Sequence, residues 1–231
     1  MKHLDNNISN RFKDITWFNQ LSQQEVLIGG AGGLGSWLAL DLARKNVDII
    51  IYDMDTLEEH NLGGQFFHKG QIGEPKVKAL ASLIEQFAGK KIEILNEEYN
   101  HDSMVSPIMI SCFDNMEVRR MFFENWASQE DRELFIDGRM GAEQFTVLFV
   151  KRDFEEAYRA TLFNSEDLKD APCTAKSTQH CTTSCVNKMV SNLCNYYANI
   201  EIDENVREVF FRYDEDLVTG KRIKQLYDDS N

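Results

Sequence analysis

Residues 25–36 read Glu-Val-Leu-Ile-Gly-Gly-Ala-Gly-Gly-Leu-Gly-Ser, and this stretch decides the fold. Its apolar first half predicts a buried strand over residues 25–30, and the residues after Gly35 predict a helix. Glycines at 30, 32 and 35 permit a tight turn, close approach of the backbone to a phosphate, and packing of the helix on the sheet. Free N–H groups at the N-terminus of such a helix attract anions. We therefore predict a nucleotide-binding turn.

A second apolar run leads to Asp53. Residues 47–52 read Val-Asp-Ile-Ile-Ile-Tyr and predict the next strand. The carboxylate of Asp53 then stands where it can accept hydrogen bonds from ribose hydroxyls. The turn and Asp53 together fit either a dinucleotide or ATP.

Apolar runs alternate with helical patterns up to residue 137. This alternation predicts the α/β class, as a Rossmann-like, doubly wound and mostly parallel sheet. The predicted strands are 25–30, 47–53, 91–96, 107–112 and 133–137, and the predicted helices are 35–46, 75–88 and 115–128.

The alternation of strand and helix patterns stops after residue 137. Residues 145–150 are rich in β-formers and follow after a link too short for a crossover helix, so we expect antiparallel strands to be added to the sheet. Further predicted elements are a helix at 154–163, a helix at 182–198, and strands at 206–213 and 221–226. We predict a single domain over residues 1–231, composed of an N-terminal helical segment (1–24), a nucleotide-binding core (25–137), and a region of antiparallel strands, crossover loop and C-terminal helix (138–231).

The amino-acid composition limits the classes of partner that the protein can bind. Lys and Arg total 25 against 38 Asp and Glu, and the net charge of −13 disfavours nucleic acid and anionic membranes. The polar start does not resemble a signal peptide, and no run of about 18 apolar residues could span a bilayer. We expect a cytoplasmic protein. The five cysteines are odd in number, so we expect reduced thiols rather than a disulfide framework.

Polar motifs follow the predicted strands. They are Asp53-Met54-Asp55, Asn61-Leu62-Gly63-Gly64-Gln65, Gly73-Glu74-Pro75-Lys76 and Asp114-Asn115-Met116-Glu117-Val118-Arg119. Open α/β sheets build their ligand crevice at the carboxyl ends of strands, where these motifs should meet. A nucleotidyl-transfer site needs an acid for ribose, a cation for phosphate and a carboxylate for Mg²⁺. A dehydrogenase has no need of this series.

In these motifs the chain resembles the ubiquitin-activating-like adenylyltransferases of the ThiF/MoeB/HesA type, over roughly residues 10 to 200. That family has Gly-x-Gly-Gly-x-Gly-Ser, Asp-x-Asp, Asn-Leu-x-Arg-Gln, Gly-x-Pro-Lys and Asp-Asn-x-x-x-Arg in this order. The resemblance implies activation of a carboxylate as an acyl adenylate with release of pyrophosphate. The carboxylate is usually the C-terminus of a small ubiquitin-like, β-grasp protein, and ATP and Mg²⁺ are required.

The resemblance also implies roles for individual residues. Asp114 resembles the Mg²⁺ carboxylate, and Arg11 resembles the arginine that each protomer of a homodimer lends to its partner's ATP. Cys173 resembles the cysteine that takes the activated carbonyl, although some members stop at the adenylate. The implied catalytic residues are Arg11, Lys76, Asp114 and Cys173. The implied nucleotide ligands are Gly30, Gly32, Gly33, Gly35, Asp53, Asp55, Asn61, Gln65, Lys76 and Arg119.

Three departures from the family pattern stand out. The arginine of Asn-Leu-x-Arg-Gln is Gly64 here, which removes a permanently charged phosphate ligand. The paired Cys-x-x-Cys zinc site of many members is missing, so we expect no zinc. Residues 137–141 and 171–177 resemble the short ThiF-like proteins of phages and mobile elements.

Several of these residues also fit purely structural roles. Asp53 and Asp55 can cap a strand end, Lys76 can be a solvated lysine, and Asp114 can be the N-cap of the next helix. Arg119 can form a structural ion pair. Asn61 and Gln65 can order their loop, and Cys112, Cys181, Cys185 and Cys194 are expected in the core. Two other functions stay open: a nucleotide-binding protein without catalysis, and an NAD-dependent oxidoreductase.

Overall fold

The computed structural model describes residues 12, 14–141, 144–163, 178–202, 210–216 and 221–227. The helices are α1 (Thr16–Leu21), α2 (Gly33–Arg44), α3 (Lys76–Ala88), α4 (Met116–Ala127), α5 (Glu155–Arg159) and α6 (Thr178–Ile202). The strands are β1 (Glu25–Gly29), β2 (Asp48–Tyr52), β3 (Glu93–Leu95), β4 (Ile108–Ser111), β5 (Leu134–Met140), β6 (Gln144–Lys151), β7 (Phe210–Asp216) and β8 (Arg222–Tyr227).

One sheet joins these strands in the order β3-β2-β1-β4-β5-β6-β7-β8. Strands β1 to β5 are parallel to one another, and β6, β7 and β8 continue the sheet in antiparallel pairing. This arrangement confirms the Rossmann-like sheet and the antiparallel additions expected from the sequence.

The register of the sheet brings the ends of β1, β2 and β4 into line with the middle of β5. Gly29 pairs with Tyr52 on one side and with Ser111 on the other, and Ser111 pairs with Asp137. These four residues form one row across the sheet. The loops that leave β1, β2 and β4 therefore emerge side by side, and the polar motifs lie in those loops.

Two apolar layers cover the sheet because successive strand residues point to opposite faces. On β1, Val26 and Ile28 pack with α2, α3 and α6, whereas Leu27 belongs to the layer that contains α4 and α5. The second layer is rich in aromatic rings, among them Phe122, Phe123, Trp126, Phe135 and Tyr158. Across the described ranges, no helix is both long enough and apolar enough to cross a bilayer.

Four elements differ from the predicted bounds by more than two residues, and one of them is β7, which is Phe210–Asp216 rather than 206–213. Strand β5 continues to Met140 rather than ending at 137, because it pairs with β6 from Leu134 to Met140. Helix α5 ends at Arg159, since the hydroxyl of Thr161 donates to the carbonyl of Tyr158 and closes the last turn. Helix α6 extends past both predicted ends.

Candidate functional site

The glycine turn has the backbone geometry of a phosphate-binding loop. Gly30 has φ +95°, a conformation that disfavours a side chain. A Cβ at Gly35 would lie 1.8 Å from the carbonyl oxygen of Gly30, so only glycine allows the helix to start this close to the turn. A Cβ at Gly32 would meet no atom within 4 Å, so the backbone is open to a ligand there. No side chain of the described ranges caps α2, whose first N–H groups lack acceptors within the helix.

Asp53 is attached directly to this turn. Its Oδ2 accepts a hydrogen bond from the N–H of Ala31 at 2.7 Å, and its Oδ1 accepts one from the N–H of Asp55 at 2.8 Å. Each carboxylate oxygen keeps a second lone pair for a ribose hydroxyl. Burial raises the pKa of Asp53, although the two backbone hydrogen bonds and the nearby Lys76 act to lower it.

Lys76 is a buried cation, not the solvated lysine that the sequence also allowed. Its side chain is 9% exposed, and its Nζ lies 2.6 Å from Oδ2 of Asp55, which is 55% exposed. The N–H of Lys76 also donates to the carbonyl of Asp55 at 2.9 Å. Asp53, Asp55 and Lys76 therefore form one connected group beside the glycine turn.

The loop after β2 is ordered by its own side chains and by α2. Asn61 is buried, and its Oδ1 accepts a hydrogen bond from the N–H of Glu58 at 2.8 Å. Asn61 therefore orders the loop, as the structural alternative for this residue predicted. The Ser36 Oγ accepts from the N–H of Phe66 at 3.0 Å, and the indole N–H of Trp37 donates to the carbonyl of Gly64 at 3.0 Å. Sequence reasoning missed these two tethers, because the serine and tryptophan lie on a different element from the loop.

Gln65 and Gly64 are two positions of this loop that could contact a ligand. The Oε1 of Gln65 is buried and accepts no hydrogen bond from the described residues. A Cβ at Gly64 would meet nothing within 4 Å, and its φ of −144° lies outside the left-handed region that only glycine readily adopts. An unsatisfied acceptor and an open backbone position both fit a ligand in the crevice.

Asp114 presents a free carboxylate. It is exposed, and within the described part of the chain it forms no hydrogen bond or ion pair. The prediction that Asp114 caps α4 is wrong: Asn115 is the N-cap, and its Oδ1 accepts from the N–H groups of Glu117 and Val118 at 2.8 and 3.2 Å. The structure therefore leaves the Asp114 carboxylate available to a cation.

Arg119 turns inward and forms the structural ion pair. Its guanidinium donates to the carboxylate of Asp137, to the carbonyl of Phe113, and to the carbonyl of Gly138 at 3.2 Å. Asp137 also accepts from Arg139 and from Tyr158. The sequence places Asp137 at the end of a predicted strand and within residues 137–141, which resemble short ThiF-like proteins, but predicts no partner for it.

The remaining candidates are cysteines within the described residues and two residues outside them. Burial raises the pKa of the Cys112 thiol to about 12, with Asp137 adding to the effect and Arg119 opposing it, and Cys185 is buried in the core. Arg11 and Cys173 lie outside the described residues. No group of three or more His, Cys, Asp or Glu in the described ranges is arranged to hold a metal ion.

Comparison with known proteins gives a family and two kinds of relative. The profile of the ThiF family matches residues 5–225. The chain is 35% identical over 113 residues to "Adenylyltransferase and sulfurtransferase MOCS3-1" of Zea mays, which covers 44% of this chain and 24% of that protein. It is 28% identical over 125 residues to "Ubiquitin-like modifier-activating enzyme 5" of Aedes aegypti, which covers 46% of this chain and 31% of that protein. The chain thus spans less than a third of the length of these relatives.

Solved structures share the fold. E. coli MccB in complex with succinimide superposes with a TM-score of 0.70 at 16% identity, covering 98% of this chain and 74% of that one. PaaA superposes with a TM-score of 0.68 at 18% identity, covering 94% and 68%. E. coli MccB solved with ATP superposes with a TM-score of 0.65 at 15% identity, covering 91% and 65%.

Proposed function

Because the chain belongs to the ThiF family, we propose that it is an ATP-dependent adenylyltransferase that activates a carboxylate as an acyl adenylate with release of pyrophosphate. One observation carries this proposal: the glycine turn, the buried cation of Lys76 and the free carboxylate of Asp114 all follow strands whose ends share one row of the sheet. A relative named as an adenylyltransferase and a structural neighbour solved with ATP support it.

The proposed substrate is the C-terminus of a small ubiquitin-like protein. A relative named as a ubiquitin-like modifier-activating enzyme supports this class. A carboxylate oxygen of the substrate attacks the α-phosphorus of ATP, the bond from that phosphorus to the bridging oxygen breaks, and pyrophosphate leaves.

The geometry supports a binding role for each of these groups. The N–H groups of the turn and of the first turn of α2 face the phosphates, and Asp53 accepts from the ribose through its remaining lone pairs. Lys76 stabilises the negative charge that develops on the phosphates, and to do so it exchanges the carboxylate of Asp55 for a phosphate oxygen. Gln65 supplies an acceptor for the nucleotide, and Asn61 holds the loop in place.

Asp114 is the residue that would hold Mg²⁺. An exposed carboxylate with no other partner in the described ranges fits this hard cation, which prefers one or two carboxylates plus substrate phosphates. When bound, Mg²⁺ neutralises charge on the phosphates as pyrophosphate departs.

Other parts of the proposal come from the resemblance to the family. Arg11 of each protomer of a homodimer serves the partner's nucleotide, Cys173 receives the activated carbonyl, and the reaction takes place in the cytoplasm. Arg119 acts through its internal hydrogen bonds rather than on ATP, because its guanidinium is engaged by Asp137 and two carbonyls.

One observation favours a second function. Gly64 stands where the family has a phosphate-binding arginine, and the space above it is open. A nucleotide-binding protein without catalysis would retain the turn, Asp53 and Lys76 without that arginine.

Pyrophosphate exchange tests the proposal. With a ubiquitin-like protein ending in Gly-Gly as the carboxylate, radiolabelled pyrophosphate should enter ATP, and Asp114→Asn should abolish the exchange. Glu117→Gln is the matched control, because it removes a neighbouring exposed acid of α4 and should leave exchange unchanged. ATP binding by calorimetry without exchange would favour the second function, and no ATP binding would exclude both.

A further inference from the structure

Two arginines share one fully buried carboxylate beside the candidate site. Asp137 is 0% exposed, and Arg119 donates to its Oδ1. Arg139 donates to Oδ2 from Nε at 2.7 Å, and the hydroxyl of Tyr158 donates to the same oxygen at 2.9 Å. We call Asp137, Arg119, Arg139 and Tyr158 the Asp137 cluster.

The two arginines reach different segments of the chain. Arg119 also donates to the carbonyl of Phe113, the residue directly before Asp114. Arg139 instead donates to the carbonyl and the hydroxyl of Thr161 at 2.8 and 3.0 Å. Of the two, only Arg119 contacts the backbone of the loop that carries Asp114.

The charges explain why Arg119 keeps this orientation. A buried guanidinium needs a carboxylate partner, and its flat fork of donors can bond a carboxylate and a carbonyl at the same time. The side chain of Arg119 is only 6% exposed, so it has no solvent to turn toward. The carboxylate of Asp137 therefore determines which way the guanidinium points, and the guanidinium determines where the Phe113 carbonyl lies.

We propose that Asp137 is a positioning residue that acts through Arg119 to hold the Asp114 carboxylate in place for Mg²⁺·ATP. Asp114 itself has no side-chain partner within the described ranges, so the backbone on either side determines the position from which its side chain extends. Asn115 caps α4 on one side, and the Phe113 carbonyl bonded to Arg119 fixes the other. The metal-binding part of this assignment rests on the proposed function.

The cluster supplies its own matched control. Arg119→Gln and Arg139→Gln each remove one positive charge from Asp137, and each leaves the acid paired with the other arginine. Only Arg119→Gln removes the hydrogen bond to the Phe113 carbonyl. Comparison of the two variants therefore distinguishes an effect of moving the Asp114 loop from an effect of changing the charge of the cluster.

Calorimetry gives the functional readout, as the ratio of ATP affinity with Mg²⁺ to ATP affinity in EDTA. Arg119→Gln should lower this ratio about tenfold, since groups that hold a metal ligand in place typically change metal affinity by 10–100-fold. Arg139→Gln should leave it within about twofold. Equal losses in the two variants, or no loss in Arg119→Gln, would overturn the proposal.

A double variant tests whether Asp137 acts through Arg119. Asp137→Asn combined with Arg119→Gln restores the net charge of the cluster and should lower the ratio no further than Arg119→Gln alone, because the two residues act in series. A further loss in the double variant would show that Asp137 acts by another route.

Hydrogen exchange measures the positioning without nucleotide. Amides of residues 113–116 should exchange faster in Arg119→Gln than in the unmodified protein, and should not change in Arg139→Gln. If the unmodified protein binds no ATP, the proposed function fails, and the exchange rates alone decide whether Arg119 holds this loop. Unchanged exchange in Arg119→Gln would then reject the positioning role.

Discussion

The Nζ of Lys76 lies 2.6 Å from the Oδ2 of Asp55, so the buried cation of the candidate site already has a carboxylate partner. In the proposed function, a phosphate competes with Asp55 for this lysine. Binding of a nucleotide therefore includes the cost of breaking an ion pair whose aspartate is half exposed to solvent.

Asp55→Asn should tighten ATP binding. Removal of the competing charge should lower the Kd for ATP by up to about fivefold, because a pair with one exposed partner is worth at most about 1 kcal/mol. The free energy of unfolding should fall by no more than this amount. Asp48→Asn is the matched control, since Lys90 and Asp48 form a similar pair at 3.0 Å at the start of β2. Calorimetry and urea denaturation of both variants provide the measurements, and weaker ATP binding by Asp55→Asn would show that Asp55 contributes to the ATP site.

Gly64→Arg should speed up adenylation. The backbone at Gly64 has φ −144° and open space at the Cβ position, so an arginine side chain has room there. A guanidinium at the phosphates should raise the rate of pyrophosphate exchange at least about tenfold, because a single well-placed donor contributes that much or more to transition-state stabilisation. Gly63→Arg adds the same charge one residue away, where a Cβ also meets no atom, and should have a smaller effect. Equal rates in both variants would rule out a specific phosphate position at Gly64.

As the pH is lowered, ATP binding should begin to weaken at a higher pH than it would with an aspartate of ordinary pKa. Burial raises the pKa of Asp53 above 3.8, and in the proposed function the ribose needs the ionised carboxylate as an acceptor. The affinity for ATP should therefore fall as the pH falls through this raised pKa, and Asp53→Asn should lack that decline. Because the raised pKa favours the neutral acid in the folded protein, Asp53 contributes stability below pH 3.8 that is lost as the pH rises through the folded-state pKa. Calorimetric titrations of both proteins across the acid range would measure the difference, and parallel curves would contradict the assignment.

Asn115→Ala should destabilise the fold by about 1 kcal/mol, the usual cost of losing an N-cap side chain. The Oδ1 of Asn115 accepts two backbone hydrogen bonds at the start of α4, and alanine cannot replace them. Asn115→Asp should keep its stability, because aspartate is an equally good N-cap. Urea denaturation separates the two variants, and an equal loss in both would mean that the amide makes a further contact.

The parallel half of the sheet and the glycine turn could be predicted from the sequence because their signals are local. Alternating apolar runs identify β1, β2 and β4, and the spacing of Gly30, Gly32 and Gly35 identifies the turn. The final length of β5 could not be predicted, since its last residues depend on pairing with β6.

Side-chain partners across the fold were the least predictable part of the site. Lys76 and Asp55 are 21 residues apart in the sequence, and Arg119 and Asp137 are 18 apart. Nothing in either local pattern indicates which carboxylate each cation meets. The predicted place of Lys76 at the site agrees with its position beside Asp53 and Asp55. The inward orientation of Arg119 could not be predicted, because it depends on the pairing of β4 with β5, which brings Asp137 next to it.

The row formed by Tyr52, Gly29, Ser111 and Asp137 sets the distance between the loop after β2 and the Asp137 cluster. Neighbouring strands are about 4.8 Å apart, so the three steps from β2 to β5 span about 14 Å. The separation between Asp53, which follows β2, and the Asp137 cluster on β5 is thus fixed by backbone hydrogen bonds. Substitutions in the loops can change which side chains lie above this row, but the distance between its two ends is a property of the sheet.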